Sequence, residues 1–379
     1  MTSKKNSLKI FIWSPMLSNV GTNTAMEGIA ESLRKYSNSK VYYLDILGEF
    51  SNTNNKDDYY IRFVKLNHLV PNTGKLSKFI IFFFSFLSIP FLIKNIITKK
   101  PDVIITGLVG FIPCMMKIFF SKIKVVNSIQ GYPKFNFWRK TIWKFFYNKS
   151  DYLITMTNRT KKMLEEEILI NSKKIFVLEN PVISRKIRTL SKNKINNDQE
   201  SLIFEKDVFC AIGRLTYQKN FLELLKFIKE FNNHYENFNL IIIGEGEQKK
   251  ILKKYIEKYK LNNCFLLGYK KNPYKYLAKS SLYISTSRWE EPGHTLLEAG
   301  YLNIPILSSN CPNGPDEIIQ NKINGFKYKL GNMDDFISKL KLYKETSIKE
   351  KKRLSLNMKK KVLNYTQLRF YNNFSKIIN

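Results

Sequence analysis

The chain is short of cysteine, histidine and acidic residues, and each shortage excludes a class of protein. Its 379 residues include four cysteines and three histidines. None of them stands at the spacing of a disulfide framework, a CxxC motif or an HExxH motif. The sequence therefore predicts reduced, buried thiols in a cytosolic protein, and no metal site. The N-terminus lacks the long apolar core and the small-residue cleavage site of a signal peptide.

One apolar segment, Phe79 to Ile93, raises the question of a membrane span. It has fifteen residues and is interrupted by Pro90, whereas a spanning helix needs about 20 apolar residues. A buried or surface-docked helix is the preferred interpretation. A spanning or re-entrant segment is the alternative.

Basic residues outnumber acidic ones by 63 to 31, which gives a formal net charge of +32. This excess is either an unspecific surface property or an attraction to polyanions such as nucleic acid or an anionic membrane. Between Lys65 and Lys149 there are fourteen basic residues and one acid, Asp102. The stretch FNFWRKTIWKFFYNK from Phe135 mixes them with aromatic residues, as is typical of a face at lipid headgroups. We expect a cytoplasmic protein, peripheral on the inner face of the cell membrane.

Short apolar runs alternate with helical patterns along the chain, which predicts an α/β fold with parallel sheets. Seven runs begin at Leu8, Lys40, Tyr59, Asp102, Lys124, Asp151 and Lys174, and five more at Asp207, Asn239, Asn263, Leu282 and Ile304. We predict two Rossmann-like domains whose sheets face one another across a cleft, with ligands at the carboxyl ends of the strands. The predicted parts are an N-terminal domain over 1–185, a linker over 186–203, a second domain over 204–355 and a C-terminal helix over 356–379 that returns to the first domain.

In the segment SRWEEPGHTLLEAG, Glu290 and Glu298 stand eight positions apart. Pro292-Gly293 prevents a regular helix at the first glutamate, and a helix beginning at His294 places Glu298 in its first turn. The N-terminus of a helix presents unpaired N–H groups and partial positive charge, so it attracts anions. Two carboxylates beside such a site suit a ligand with both phosphate and hydroxyl groups, such as a nucleotide sugar.

Two further loops follow predicted strands. In the first, Gly213 allows a tight turn, and Arg214 and Lys219 can reach one anion from two sides; an ordinary turn with surface cations is the alternative. In the second, Gly21 lies where a loop before a helix approaches a ligand, or where simple turn chemistry needs it. GEG from Gly244 lacks the third glycine of a dinucleotide motif, so a tight turn is preferred there.

His294 is a candidate catalytic base, although a contact through its backbone N–H or to a sugar hydroxyl is the preferred interpretation. Asn180-Pro181 is interpreted as the end of a strand.

The order of these motifs resembles that of the family 4 glycosyltransferases, which are retaining enzymes of the GT-B fold. The resemblance is sharpest from Phe209 to Phe326, and SRWEEPGHTLLEAG followed by NCPNGPDEI is similar to the branch that builds bacterial capsule, lipopolysaccharide or other surface glycans.

The resemblance implies a role for each motif residue. Arg214 and Lys219 hold the donor diphosphate and stabilise the leaving group, so neither a metal nor another cofactor is required. Glu298 hydrogen-bonds the ribose, and Glu290 lies near the donor sugar. The remaining donor contacts, many of them through the backbone, are implied at Gly21, Gly213, Gly268, Tyr269, Gly293, His294, Thr295 and Leu296.

One position departs from the family pattern. Many members have a histidine after a strand of the N-terminal domain, near the reacting carbon. The corresponding segment here is VVNSIQGYP, which offers Ser128 and Gln130 instead. The group that contacts the 6-hydroxyl of the sugar is therefore left open.

The expected function is retaining transfer of a hexose or N-acetylhexosamine from a nucleotide sugar, expected to be UDP-linked, to a lipid-linked or growing surface glycan. The expected partners are the nucleotide sugar, the lipid-linked acceptor bound by the N-terminal domain, and the anionic membrane, but no nucleic acid. The alternatives are a nucleotide-sugar epimerase of the same fold and a basic protein that binds polyanions such as DNA.

Overall fold

The computed structural model describes residues 7–17, 21–50, 59–66, 75–131, 133 and 135–378. They divide into two compact units. The first domain contains the described residues up to Val182 and those from Tyr365 onward, and the second runs from Ile183 to Asn364. Each is built on its own parallel sheet.

The sheet of the first domain has seven strands, at the seven positions that the apolar runs predicted. In chain order they are Lys9–Trp13 (β1), Lys40–Asp45 (β2), Tyr59–Arg62 (β3), Val103–Thr106 (β4), Lys124–Ser128 (β5), Tyr152–Thr155 (β6) and Ile175–Val177 (β7). Their order in the sheet is β3-β2-β1-β4-β5-β6-β7, and all pairs are parallel. Successive strands are therefore added on one side of β1 up to β3 and on its other side from β4 onward.

Both faces of this sheet are covered, which explains its nearly continuous apolar strands. Ile10 and Ile12 of β1 pack into one core cluster, and Phe11 and Trp13 pack into another. The first helices of the domain are Gly21–Ser37 (α1), Lys75–Leu87 (α2), Ile89–Lys99 (α3), Phe111–Met116 (α4), Phe137–Tyr147 (α5) and Asn158–Glu167 (α6).

The Phe79 to Ile93 segment is divided between α2 and α3. No single helix in the described ranges is long and apolar enough to cross a membrane. Leu76–Leu87 and Ile89–Lys99 meet that length and composition only as a pair, which is bent by 47°.

The sheet of the second domain has six parallel strands. They are Asp207–Ile212 (β8), Phe238–Ile243 (β9), Cys264–Gly268 (β10), Leu282–Ser285 (β11), Ile306–Ser309 (β12) and Phe326–Tyr328 (β13), in the order β10-β9-β8-β11-β12-β13. Five follow the predicted runs. The sixth, β13, was not predicted, because it has only three residues and one of them is Lys327.

The predicted linker, 186–203, carries two short helices of the second domain. There the amide of Asn272 donates to the carbonyl of Leu190, and Lys270 forms an ion pair with Glu200 at 2.5 Å. The helices from this point are Arg185–Ser191 (α7), Asp198–Leu202 (α8), Phe221–Phe231 (α9), Lys249–Lys258 (α10), Tyr274–Leu277 (α11), His294–Tyr301 (α12), Pro315–Ile318 (α13), Met333–Glu345 (α14) and Ile348–Val362 (α15).

The last helix, Gln367–Ile378 (α16), belongs to the first domain. Phe370 and Phe374 are buried in the same core cluster as Ile10 and Ile12, and the hydroxyl of Ser32 donates to the carbonyl of Gln367 at 2.6 Å. The structure thus confirms two Rossmann-like domains with parallel sheets and a C-terminal helix that returns to the first.

Candidate functional site

The predicted donor-site motifs of the second domain lie at the carboxyl edge of its sheet. The chain runs from β8 to β9 on one side, whereas β11 is the neighbour of β8 on the other side. In open parallel sheets, such a reversal leaves a crevice between two loops, and ligands bind there. The loop after β8 carries Arg214 and Lys219, and the loop after β11 carries Glu290 and leads into α12.

Glycines allow the loops at this edge to pack against one another. The N–H of Gly213 donates to the carbonyl of Ile243 at 3.0 Å. A Cβ at Gly244 would lie 1.9 Å from the carbonyl oxygen of Gly213, and one at Gly246 would lie 2.4 Å from that of Leu215. The glycines of the GEG sequence are thus required by contact between two loops, in agreement with the predicted tight turn.

Lys219 and Glu290 form a buried ion pair. Lys219 Nζ lies 2.5 Å from Glu290 Oε1, and the two side chains are 16% and 8% exposed. The hydroxyl of Ser287 donates to the same carboxylate oxygen at 2.5 Å, and that of Thr286 donates to the carbonyl of Lys219 at 3.0 Å. Since buried charges are costly without a partner, this pair fixes the two loops at the reversal point.

Arg214 differs from Lys219 in its surroundings. Its side chain is exposed, and in the described part of the chain its guanidinium has no ion-pair partner. It can therefore bind an anion without first breaking a contact within the protein.

Glu298 lies in the second turn of α12, not in the first turn as predicted. The helix begins at His294 after Gly293, which has a φ of 95°, so Glu298 is its fifth residue. The hydroxyl of Tyr274 donates to Glu298 Oε1 at 3.0 Å. Burial raises the pKa of Glu298 to about 7, against the opposing effects of Tyr274 and the Lys219 charge.

The start of α12 presents two unpaired N–H groups. The N–H of Leu296 donates to the carbonyl of Gly293 at 3.1 Å, and its contact with the ligand stays a prediction. The N–H groups of His294 and Thr295 have no acceptor among the described residues. The Thr295 hydroxyl is already hydrogen-bonded to that of Tyr283, at 2.7 Å.

His294 is neutral in this site. Burial lowers its pKa to about 4, Glu290 acts to raise it and Lys219 to lower it. A neutral imidazole can donate or accept a hydrogen bond, so the structure is compatible with either role considered for this residue.

The resemblance also implies donor contacts at Gly268 and Tyr269, which stand at the end of β10 and directly after it. Gly268, with a φ of 68°, accepts at its carbonyl from the N–H of Gly244 at 2.9 Å. Tyr269 is exposed, whereas the ion pair with Glu200 holds Lys270 within the domain. Gly268 and Tyr269 therefore border the same edge as the other motifs.

In the first domain, Gly21 is the first residue of α1, so it lies in the helix and not in the predicted loop before it. Residues 18–20, with Asn19, lie outside the described residues. Gly21 belongs to the first domain, and its contact with the donor stays a prediction.

The positions that replace the family histidine lie at the carboxyl end of β5. The amides of Gln130 and Asn180 exchange two hydrogen bonds, at 2.8 and 3.2 Å, and Gln130 also donates to Ser128 at 2.7 Å. Asn180 is buried and orients Gln130, a role that its interpretation as a strand end did not include.

Several residues of the site were not predicted from the sequence. Ser287 had a detectable signal, since it stands three positions before Glu290. Tyr274, which donates to Glu298, had none. Arg288 binds the side chain of Asn220 at 3.0 Å and lies over the ring of Tyr217, so it stabilises the same two loops.

The described ranges contain no group of three or more His, Cys, Asp or Glu side chains that could hold a metal ion. The absence of a metal from the reaction stays a prediction.

Comparison with known proteins places these motifs in a family context. Residues 193–361 match the family model described as glycosyl transferases group 1. All the predicted site residues of the second domain fall within this match, and Gly21 lies outside it.

Curated relatives agree with the family model. The chain is 34% identical over 250 residues to an uncharacterized glycosyltransferase of Methanocaldococcus jannaschii, covering 62% of this chain and 61% of the relative. It is 30% identical over 219 residues to the UDP-Gal:alpha-D-GlcNAc-diphosphoundecaprenol alpha-1,3-galactosyltransferase of Escherichia coli, covering 56% and 55%. The chain spans about half to three fifths of the length of the first such relatives.

Solved structures share the fold over nearly the whole chain. Anabaena Alr3699/HepE in complex with UDP superposes with a TM-score of 0.79 at 14% identity, covering 97% of this chain and 99% of that one. The lipopolysaccharide outer core galactosyltransferase WaaB superposes with a TM-score of 0.69 at 19% identity, covering 98% and 99%. The structure shares with these proteins two Rossmann-like domains of the GT-B fold, and residues 193–361 of its sequence are similar to the glycosyl transferases group 1 family.

Proposed function

We propose that this protein is a retaining glycosyltransferase of family 4. It transfers a hexose or N-acetylhexosamine from a UDP-sugar to a lipid-linked or growing surface glycan. The observation that carries the proposal is the buried Lys219–Glu290 ion pair beside Glu298 and the exposed Arg214, at the reversal point of the second sheet. The glycosyl transferases group 1 match over 193–361 supports the class of reaction.

The donor diphosphate binds where positive charge collects. Arg214 and Lys219 supply two cations, and the N–H groups of His294 and Thr295 supply two donors. When the bond between the sugar and the diphosphate breaks, negative charge grows on the departing oxygen. Groups held in place beforehand stabilise that charge without rearrangement, so the chemistry does not call for a metal.

The two glutamates divide the remaining contacts of the donor. Glu298 accepts from the ribose hydroxyls, and Tyr274 fixes its carboxylate from the other side. Glu290 holds Lys219 and lies near the sugar. The departing phosphate accepts the proton of the acceptor hydroxyl, so a protein base is not required. The reaction therefore does not depend on the family histidine, whose place Ser128 and Gln130 take.

The relatives support the nature of donor and acceptor. The name of the Escherichia coli relative specifies UDP-Gal and a diphosphoundecaprenol-linked acceptor, and the Anabaena structure contains UDP. Another relative is an amylovoran biosynthesis glycosyltransferase of Erwinia amylovora, 30% identical over 178 residues. These names favour a UDP-sugar, a lipid-linked acceptor and a surface polysaccharide.

The first domain supports a peripheral position on the inner face of the membrane. Phe79 on α2 is 67% exposed, and Trp138 on α5 is 72% exposed. Arg139 and Lys140 stand directly after Trp138. Exposed aromatic residues next to cations suit the headgroup region of an anionic bilayer.

Thermal unfolding with a panel of nucleoside diphosphates and nucleotide sugars tests the proposal, because a ligand of the native state raises the melting temperature. We expect UDP and at least one UDP-sugar to raise it, and random duplex DNA to leave it unchanged. Glu298→Gln should reduce the shift by UDP, whereas Glu257→Gln, at an exposed position of α10, should not. Stabilisation by DNA alone would favour a polyanion-binding protein, and epimerisation of the donor without an acceptor would favour an epimerase.

A further inference from the structure

Helix α2 has an apolar outer face as well as an apolar inner one. Three serines, Ser77, Ser85 and Ser88, are buried on or just after this helix. Ile80, Ile81 and Phe84 pack against the core, but six other large apolar side chains are exposed: Leu76, Phe79, Phe82, Phe83, Phe86 and Leu87. A helix on the water-facing surface of a globular domain has a polar outer face, so the outer face of α2 is suited to an apolar environment.

Helix α5 has the same property. Phe137, Trp138 and Phe145 are 74%, 72% and 59% exposed, while Trp143 and Ile142 on another face pack against the core of the domain. The two helices thus present exposed aromatic surfaces in one basic region of the chain.

A cavity of about 530 Å³ is lined by residues of both helices, a size within the range of about 300–1,000 Å³ that is common for small-molecule sites. Its apolar lining includes Phe82 of α2 and Trp143 of α5. Ser128 and Gln130, at the carboxyl end of β5, give it a polar side. The cavity therefore extends from the sheet edge to the helices with the exposed aromatic faces.

The charges at this cavity have one sign. Lys78 and Arg139 line it, and none of its lining residues is acidic. Lys78 is exposed and has no ion-pair partner within the described ranges. The ligand that matches these features is an anionic amphiphile, with phosphate charge for the cations and an aliphatic chain for the aromatic walls.

We propose that this cavity binds the diphosphate and the first isoprenyl units of the lipid-linked acceptor. The diphosphate contacts Lys78 and Arg139, the glycan lies towards Ser128 and Gln130, and the isoprenyl chain leaves along α2 and α5 into the bilayer. This inference rests on the proposed function, since it names the part of the acceptor that the first domain holds.

Binding of farnesyl diphosphate to the full-length protein tests this site, with the fluorescence of Trp143 and the melting temperature as readouts. We expect farnesyl diphosphate to bind more tightly than farnesol or inorganic pyrophosphate, because only it engages both the cations and the apolar walls. Trp143→Phe should remove the fluorescence change and keep the thermal shift.

Charge reversal locates the diphosphate. Lys78→Glu should weaken binding of farnesyl diphosphate about tenfold or more, since a charged hydrogen bond contributes about 1.5–3 kcal/mol, and should leave binding of farnesol unchanged. Lys94→Glu is the matched control, because Lys94 is an exposed lysine on the adjacent helix α3 that does not line the cavity. Equal effects of the two reversals would overturn the proposal, as would pyrophosphate binding as tightly as farnesyl diphosphate.

The melting temperature with UDP separates this inference from the proposed function. Stabilisation by UDP without any binding of farnesyl diphosphate would reject the lipid site and leave the glycosyltransferase proposal standing. Binding of farnesyl diphosphate without stabilisation by UDP or another nucleotide would support the lipid site and contradict the proposed donor site.

Discussion

The two domains have the same strand order around their central strands, yet the carboxyl edges of their sheets carry different chemistry. In the second domain this edge holds a buried ion pair, Lys219–Glu290, and a half-buried carboxyl, Glu298. In the first domain it borders an apolar cavity with the cations Lys78 and Arg139. Topology provides a crevice in both sheets, and the residues of the loops and adjoining helices determine whether it suits a nucleotide or a lipid.

The two sheet edges also differ in the exposure of their charged side chains. The edge of the second sheet withdraws Glu290 and Glu298 from water and fixes them by hydrogen bonds from Ser287 and Tyr274. The first domain keeps Lys78 exposed beside aromatic residues. Removing Lys219 should therefore affect stability, whereas removing the exposed Lys78 should affect only binding.

Lys219→Ala should have the largest effect, because it leaves Glu290 charged and buried without its partner. Loss of one member of a buried pair costs about 3–5 kcal/mol of unfolding free energy, measurable by urea denaturation. Lys249→Ala is the control, since the Lys249–Glu245 pair is 50% and 45% exposed and should contribute about 1 kcal/mol or less. Adding Glu290→Gln to Lys219→Ala should recover part of the loss; similar losses for both lysine variants would contradict the buried pair.

Arg214→Ala should reduce turnover by about 100- to 1,000-fold, in line with the loss of one preorganised donor in a transition state. Its melting temperature should not change, because Arg214 is exposed and has no ion-pair partner in the described part of the chain. Arg353→Ala, on the surface of α15, is the control. Transfer of radiolabelled sugar to a lipid-linked acceptor measures the rate, and unchanged turnover would remove Arg214 from the site.

Glu298 should make the stability of the second domain depend on pH. Its pKa of about 7 in the folded state lies above the ordinary value of 4.5. The folded state therefore binds more protons than the unfolded state between these values, and stability is lost as pH rises from 4.5 to 7. The full loss is on the order of 3 kcal/mol.

Glu298→Gln isolates this effect, because glutamine can still accept from Tyr274. The unfolding free energy of the wild type minus that of the variant should fall across the window from pH 4.5 to 7. His294 has the opposite sign: its pKa of about 4 lies below 6.5, so its contribution is lost as pH falls from 6.5 to 4. A difference between wild type and Glu298→Gln that stays constant with pH would show that Glu298 is not buried.

Much of the architecture could be predicted from the sequence, because strands covered on both faces appear as apolar runs. All seven strands of the first sheet follow such runs, whereas β13 in the second is too short and too polar to be detected. The helix start at His294 was predicted correctly from Pro292 and Gly293. The turn that contains Glu298 was not, because Glu298 is the fifth residue of the helix and lies just beyond its first turn of about 3.6 residues.

The motifs of the proposed donor site could also be recognised in the sequence, but their mutual contacts could not. Lys219 and Glu290 are 71 positions apart, and no local pattern shows that they form a pair instead of acting separately. The same holds for Gln130 and Asn180, which are 50 positions apart. Contacts between loops depend on the strand order, which the apolar runs alone do not provide.

Phe79→Ser tests the membrane side of the comparison and should have the smallest effect. Phe79 is 67% exposed on the outer face of α2, so the substitution should not destabilise the fold. It should weaken binding to vesicles that contain phosphatidylglycerol by about tenfold, since a fully inserted Phe contributes about 1.5–3 kcal/mol and partial insertion less. Adding Phe83→Ser should weaken it further.

The control for this surface is Ile348→Ser, because Ile348 is 85% exposed but lies on α15 of the second domain. Sedimentation with vesicles at two salt concentrations separates the contributions, because salt screens the basic residues and leaves aromatic insertion in place. A loss with Phe79→Ser that persists at high salt would show that the aromatic face enters the bilayer. Equal losses for Phe79→Ser and Ile348→Ser, or none for either, would leave charge as the cause of any binding, and the exposed face of α2 would need a different partner.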